Sequence, residues 1–499
     1  MVRHIVLIRF RPDVDEDTIQ AIFSDLHAIR YQVPGLGPIH AGRSESPEAI
    51  ERGYLHGFTV DFADWQALAA YQDHPAHRRV GAELVGHAVA GLTASLSSTC
   101  LSVPNDPSKA PPMLTLPTED ARLEPYRPTG TPLIPRAPRV ALTRTAFAAA
   151  HVVSDPLHER SPWDGRPAVD WDATLAFRQS LWDQGLGLAE AMDTAQRGLG
   201  VDWLTAKELI GRTMVAAKAH PMRPRVACGA GTDHVPAAEL TRADAILRAY
   251  EDQAEAIEAA GGQVILMASR AFTAMNATPD TYHSVYRRLI DGAADPVILH
   301  WLGDMFDPTL AGYWGAGDVG AASDLVLDLI AENPATVDGI KISLLDQMHE
   351  EAFRKRLPAG VRLYTGDDFN YASLFAGDGA HHSHALLGIL AAIAPAAAQA
   401  LEALAYGDLE TYHRFLAPTV PLSREIFRAP TRLYKAGIAF LAWLNGYQNH
   451  FIMPAGFQAS RDITHYAKVF RLADRANLLL YPDLAEARMR HLLALHGIE

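Results

Sequence analysis

The chain has 499 residues and a formal net charge of −14. That length exceeds one ordinary hydrophobic core and predicts two or three domains, while the acidic balance and the lack of any basic run argue against nucleic acid as a partner. Its two cysteines, Cys100 and Cys228, are far apart without metal-type spacing, which fits a reducing cytoplasmic setting and excludes a disulfide framework.

The opening run Met-Val-Arg-His-Ile-Val-Leu-Ile-Arg-Phe alternates as a strand over 5–10 and does not read as an export signal. Ile19, Ile22, Phe23 and Leu26 give 16–29 a helical spacing, 54–62 alternates again as a strand, 63–71 is a short helix, and a last strand lies near 94–103. Residues 1–103 thus read as a small α+β unit that carries His4, His56 and the run Tyr71-Gln72-Asp73-His74-Pro75-Ala76-His77. Ten prolines from Pro104 to Pro138 leave no room for a helix or an inner strand, so 104–138 reads as an extended linker.

From Arg139 short apolar runs alternate with helical patterns. Strands are expected over 140–147, 186–192, 225–229, 263–268, 296–302, 337–343, 361–365 and 379–386, with helices such as 243–260 and 323–332 between them. This is the rhythm of an α/β fold, an eight-stranded (β/α) barrel over 139–400, followed by a helical extension over 401–499. Function is then expected at the C-terminal ends of the strands. The apolar run 385–401 is Ala-rich and broken by Pro395, so it reads as a buried helix and not a membrane span.

The sixth strand, Val337-Asp338-Gly339-Ile340-Lys341-Ile342-Ser343, places Ile340 and Ile342 on one face and Gly339, Lys341 and Ser343 on the other. A lysine there is either ion-paired, snorkelling at the strand end, or used. Desolvated, it loses its proton more easily and can attack a carbonyl to form a Schiff base.

On its strand pattern and its Tyr-x-x-His-Pro-x-His motif, the stretch 1–103 resembles the Dabb family, the stress-responsive dimeric α/β barrel domain. The resemblance implies a ferredoxin-like fold that pairs two chains into a homodimer. A plant member of that family is a polyketide cyclase with Tyr and His at the places of Tyr71 and His77. A second pocket of His4, His56, Tyr71 and His77 is therefore implied, although the same residues also serve the family as a fold motif.

Residues 139–480 resemble the dihydrodipicolinate synthase/N-acetylneuraminate lyase superfamily of class I aldolases, and within it a bacterial dihydrodipicolinate synthase-like branch. The motifs are Gly339-Ile340-Lys341, Tyr364-Thr365-Gly366-Asp367-Asp368, Gly379-Ala380-His381-His382-Ser383, Gly229-Ala230-Gly231-Thr232 and Thr145-Ala146-Phe147. Two departures stand out. His300 occupies the place of the superfamily's proton-relaying tyrosine, and imidazole can act as base and acid near neutrality. After strand two, Ala189-Glu190-Ala191-Met192-Asp193-Thr194 replaces the Gly-Thr-Thr-Gly-Glu that holds a 2-oxo carboxylate, which argues against dihydrodipicolinate synthase activity itself.

The resemblance implies a lyase of aldolase or dehydratase type that needs no cofactor and acts on a carbohydrate-like hydroxy-carbonyl compound. Lys341 is its expected nucleophile and His300 its proton carrier. Thr145, Glu190, Asp193, Gly229, Asp367, Asp368 and Ser383 are expected to bind substrate, although strand-end carboxylates also cap the following helix. One alternative is a divalent metal held by Glu190, His234 and His382 for sugar isomerisation or epimerisation. Another is a non-catalytic small-molecule binding protein.

Overall fold

The computed structural model describes residues 2–11, 13–29, 36–44, 54–62, 65–88, 96–102, 113–158 and 167–498, in two compact units, Met1–Met113 and Leu114–Glu499. The first unit is an antiparallel sheet of β1 (Val2–Ile8), β2 (Leu36–Arg43), β3 (His56–Phe62) and β4 (Leu96–Ser102), in the order β2-β3-β1-β4. Strand alternation sorts its residues. His56, Phe58, Val60 and Phe62 are buried, and the helix Glu16–Ile29 brings Ile19, Ile22, Phe23, Leu26 and Ile29 into the same core. The Tyr-x-x-His-Pro-x-His run marks a helix boundary: Trp65–Asp73 ends there, His74 Nδ1 accepts the Ala76 N–H, and Pro75 opens the helix Pro75–His87. The unit is a ferredoxin-like α+β domain.

The second unit begins earlier than the proline pattern suggests. Residues 103–112, with Pro104, Pro107, Pro111 and Pro112, lie outside the described residues. From Leu114, however, the supposed linker forms a two-stranded ribbon of β5 (Leu114–Pro117) and β6 (Leu123–Tyr126). Pro117 and Pro125 are tolerated because a two-stranded ribbon has no central ladder to interrupt. Leu114 and Leu116 are fully buried in the barrel unit's core. The stretch after the ribbon is fastened by Asp474, which accepts hydrogen bonds from the Tyr126 hydroxyl and the Thr129 and Gly130 amides, and by Glu402, which accepts the Arg139 amide. Residues 114–138 are therefore structural parts of the barrel unit and not a linker.

Eight parallel strands close the barrel in chain order: β7 (Ala146–Ala149), β8 (Gly187–Glu190), β9 (Val226–Ala230), β10 (Gln263–Leu266), β11 (Val297–Leu302), β12 (Val337–Ser343), β13 (Arg362–Thr365) and β14 (His384–Leu387), with β14 pairing back onto β7. Phe147, Ala149, Ala189, Ala227, Ile265, Ile298, Tyr364 and Leu386 fill the interior. Residues of opposite phase pack under the helices, as Ile340 and Ile342 do on β12. On β11 the outward residue is Trp301, edge-on to Trp314 and Phe353, so His300 points inward. β7 and β14 start later than the strands expected over 140–147 and 379–386, which moves Thr145 and Ser383 to the N-terminal, far end of the barrel.

The helix Leu390–Ala405 follows β14 and carries Pro395. Beyond it come Leu409–Leu416, Thr419–Ile426, Lys435–Leu444, Ile463–Arg475 and Pro482–Leu495. No helix among the described residues is long and apolar enough to cross a membrane.

Candidate active site

Lys341 comes off β12 at the C-terminal mouth of the barrel, partly buried, and among the described residues its ammonium has no hydrogen-bond or ion-pair partner. It faces a chamber of about 20 Å³ whose walls include Asp193, Ser343, Asp368, Phe427 and Tyr434. That volume admits roughly one water-sized group. Burial pulls the Lys341 ammonium below the usual lysine range, and the Asp193 and Asp368 carboxylates act against the shift. Burial also pushes the Asp368 carboxyl up to about 8, opposed by its hydrogen bond from the Ile389 amide and by the Lys341 charge. An amine that releases its proton readily thus faces a carboxyl that holds one near neutrality.

Gly366 makes the close packing here possible. A Cβ at that position would lie 2.7 Å from the Ile342 carbonyl oxygen and 2.9 Å from Lys341 Cε, so any side chain would displace the lysine or the strand. His300 is the β11 neighbour of Lys341 in register. Its Nε2 lies 3.5 Å from Ser343 Oγ, and its buried Nδ1 has no hydrogen-bond partner among the described residues. Burial first, and the Lys341 charge second, push the His300 imidazolium well below the ordinary histidine value. The ring is therefore neutral at physiological pH, with a lone pair on one of its nitrogens.

A second, larger cleft of about 670 Å³ adjoins the chamber, sharing Asp193, Leu302 and Phe306 with it. Thr232 and Ser269, whose hydroxyls lie 2.6 Å apart, line it together with His300, Arg270, Arg432 and Lys435. The segment after the barrel contributes to both spaces. The Tyr434 hydroxyl lies 2.8 Å from Thr194 Oγ1, and its ring stacks on Phe427 with centroids 4.3 Å apart. Lys435 Nζ donates to the Arg432 carbonyl at 3.1 Å and lies 4.4 Å from the centre of the Tyr434 ring.

Of the residues expected to bind substrate, only Asp193 and Asp368 line this mouth. Asp367 instead clamps a turn, its Oδ1 accepting the Phe369 and Asn370 amides and its Oδ2 the Asn370 side chain. Glu190 is fully buried on the outward face of β8. Arg178 grips it through two bonds of 2.6 and 2.8 Å, Thr213 Oγ1 donates to it at 2.6 Å, and these bonds tie the helices Trp171–Trp182 and Trp203–Ala219 to the strand. Thr145 donates its amide to His384 Nδ1 at the opposite end of the barrel, and Ser383 Oγ donates to Glu350. Gly229 is packed inside the barrel, where a Cβ would lie 2.7 Å from Met267 Sδ.

The three residues named for a metal do not come together. Glu190 is sealed by Arg178, His234 Nδ1 accepts the Gln253 amide, and His382 lies against His384 just before β14, away from the mouth. Among the described residues no three His, Cys, Asp or Glu side chains converge as a metal site.

In the N-terminal domain, Tyr71 and His77 lie ring to ring at 4.2 Å, and His77 Nδ1 bonds the Gln72 carbonyl. The Tyr71 hydroxyl is buried without a hydrogen-bond partner among the described residues, and burial pushes it above the usual phenol range. His4 is close enough to His77 for their charges to oppose each other. His56 is separate: it pairs with Ile8, four positions along β1 from His4, and packs against Phe10 and Phe23 beside Glu16. Three of the four expected residues, His4, Tyr71 and His77, therefore lie near one another, and His56 does not join them.

Residues 114–498 match the family model described as protein of unknown function (DUF993). The chain belongs to that family. Residues 2–95 match the Dabb model, the stress responsive A/B barrel domain. Within that N-terminal part, the olivetolic acid cyclase of Cannabis sativa is 24% identical over 76 residues, 15% of this chain and 75% of the plant protein. The barrel has the fold of dihydrodipicolinate synthase. A monomeric dihydrodipicolinate synthase variant aligns at a TM-score of 0.50 and 13% identity, covering 68% of this chain and 98% of that one. The dihydrodipicolinate synthase of Bacteroides thetaiotaomicron aligns at 0.49 and 15%, covering 67% and 99%.

In this DUF993 chain the residues that sequence reasoning missed are Thr194, Arg432, Tyr434 and Lys435. The last three arrive from about ninety residues beyond Lys341, so no spacing links them to it. The only trace is the polar run Thr431-Arg432-Leu433-Tyr434-Lys435 just ahead of an apolar helix.

Proposed function

We propose that the barrel is a Schiff-base-forming lyase, of aldolase or dehydratase type, that acts on a hydroxy-carbonyl compound through Lys341. The observation that carries this reading is a partnerless lysine ammonium facing a one-group chamber beside a carboxyl pushed up to about 8. Neutral Lys341 Nζ adds to the substrate carbonyl carbon. The oxygen leaves as water after protonation, for which Asp368, in the chamber wall with its carboxyl pushed up to about 8, is the acid. The resulting iminium draws electrons from the adjacent carbon, so that a C–C bond breaks or a proton departs. His300, neutral and with a free nitrogen, accepts the proton from the substrate hydroxyl or α-carbon. The Tyr434 hydroxyl, held in the chamber wall by Thr194, is placed to return one. Thr232 and Ser269 offer hydroxyls to the rest of the substrate.

The test is turnover of a panel of hydroxy-ketones and hydroxy-aldehydes by the intact chain and by Lys341→Ala. The reading predicts that a substrate found with the former is not turned over by the latter, while circular dichroism stays unchanged. Retained turnover in Lys341→Ala would refute it.

A further inference from the structure

The charges around the large cleft do not balance, and the imbalance is informative. Arg197 is neutralised by Asp233 at 2.7 Å and Arg270 by Asp307 at 2.5 Å. Lys435 is different. It is only 2% exposed, and among the described residues its ammonium meets one carbonyl and one ring but no carboxylate at ion-pair distance. Arg432, exposed on the rim of the same cleft, also has no ion-pair partner among the described residues. The carboxylate that acts on Lys435 is that of Asp193, and it acts on Lys341 as well. Burying an ammonium without a counter-ion costs several kcal/mol, so such a group is kept where a ligand completes it.

A second observation points the same way. His300 Nδ1 is buried, has no hydrogen-bond partner among the described residues, and belongs to a side chain that lines the same cleft. The cleft, at about 670 Å³, is far larger than the chamber at Lys341 and opens beside it across Leu302 and Phe306. A compound whose carbonyl end enters the chamber must lay its remainder in the cleft, under Lys435 and Arg432.

We propose that Lys435 and Arg432 form an anion subsite, so that the substrate is a hydroxy-carbonyl compound carrying a carboxylate or phosphate remote from the carbonyl that reacts at Lys341. This rests on the reading of Lys341 as the nucleophile. The anion supplies the counter-charge that the protein leaves out. Arginine offers a planar fork of donors and lysine a compact charge, a pair suited to either group.

The test is isothermal titration of the intact chain with inorganic phosphate and, separately, with malonate. Neither forms an imine, so the result does not depend on Lys341 chemistry. The proposal predicts saturable binding of at least one, weakened about tenfold or more in Lys435→Met and in Arg432→Gln. The exposed Arg432 keeps the test valid if Lys435→Met fails to fold. Preference for phosphate assigns a phosphorylated substrate, and preference for malonate a carboxylated one. No saturable binding, or equal binding by wild type and Arg432→Gln as for an adventitious ion only, overturns it.

Discussion

Deleting residues 1–138 instead of 1–113 should separate a folded barrel from an unfolded one. Leu114 and Leu116 are both fully buried, and each contributes about 1.5–3 kcal/mol of apolar burial. Asp474, 2% exposed, would lose the Tyr126 hydroxyl at 2.7 Å, the Gly130 amide at 2.9 Å and the Thr129 amide at 3.0 Å. Stranding a buried acceptor costs about 1–3 kcal/mol, and more when it is charged. Arg471 would lose the Leu116 and Pro117 carbonyls as well. Together these come to about 4–9 kcal/mol, against about 5–15 kcal/mol for a typical domain. Urea unfolding followed by circular dichroism should show a cooperative transition for 114–499 and a low midpoint or insolubility for 139–499. Matching midpoints would show that the ribbon and the segment after it contribute nothing, contrary to their packing.

His300→Phe should slow turnover by about 10²–10⁴-fold without abolishing imine formation, because it removes a proton carrier and leaves the nucleophile; an unchanged rate in a steady-state assay would assign the proton step elsewhere. Burial pushes Glu350 up to about 8, against the Ser383 and Thr365 hydroxyls that bond it. Its folded-state value therefore lies above the unfolded one, and the stability it gives is present at acid pH and lost as pH rises towards about 8. Wild type should lose stability relative to Glu350→Gln by up to about 1.4 kcal/mol per pH unit over that window, as read from denaturation midpoints, and parallel curves would contradict the assignment. The outer sheet face of the N-terminal domain carries Leu7, 45% exposed on β1. If two copies pair through that face, Leu7→Asp should convert a dimer into a monomer in light scattering of the full chain, and a wild-type monomer would refute the pairing.

The barrel was legible because each strand is an apolar run between helical patterns, and Lys341 because Ile340 and Ile342 fix its phase. His300 was half legible. Val297–Leu302 is apolar on both faces, so alternation alone left His300 and Trp301 interchangeable until Trp301 was found against Trp314. Thr145 and Ser383 went wrong for one shared reason: polar residues ahead of β7 and β14 extended the apparent strands, and a shift of a few residues exchanges the mouth for the far end. Glu190 ends β8, two residues short of the expected strand end, and in the outward phase, where Arg178 and Thr213 claim it. The hairpin at 114–126 was hidden because prolines mark the absence of long elements and not the absence of packing.

The account stands on a covalent bond at Lys341, and intact-mass measurement after borohydride reduction tests it most directly. The full chain would be incubated with carboxylated or phosphorylated hydroxy-ketones and aldehydes, reduced, and digested. The account predicts a mass gain equal to the bound carbonyl compound less one water plus two hydrogens, localised to the peptide containing Lys341 and absent from Lys341→Ala. A compound that is turned over without leaving any such adduct, or an adduct that persists in Lys341→Ala, would contradict it.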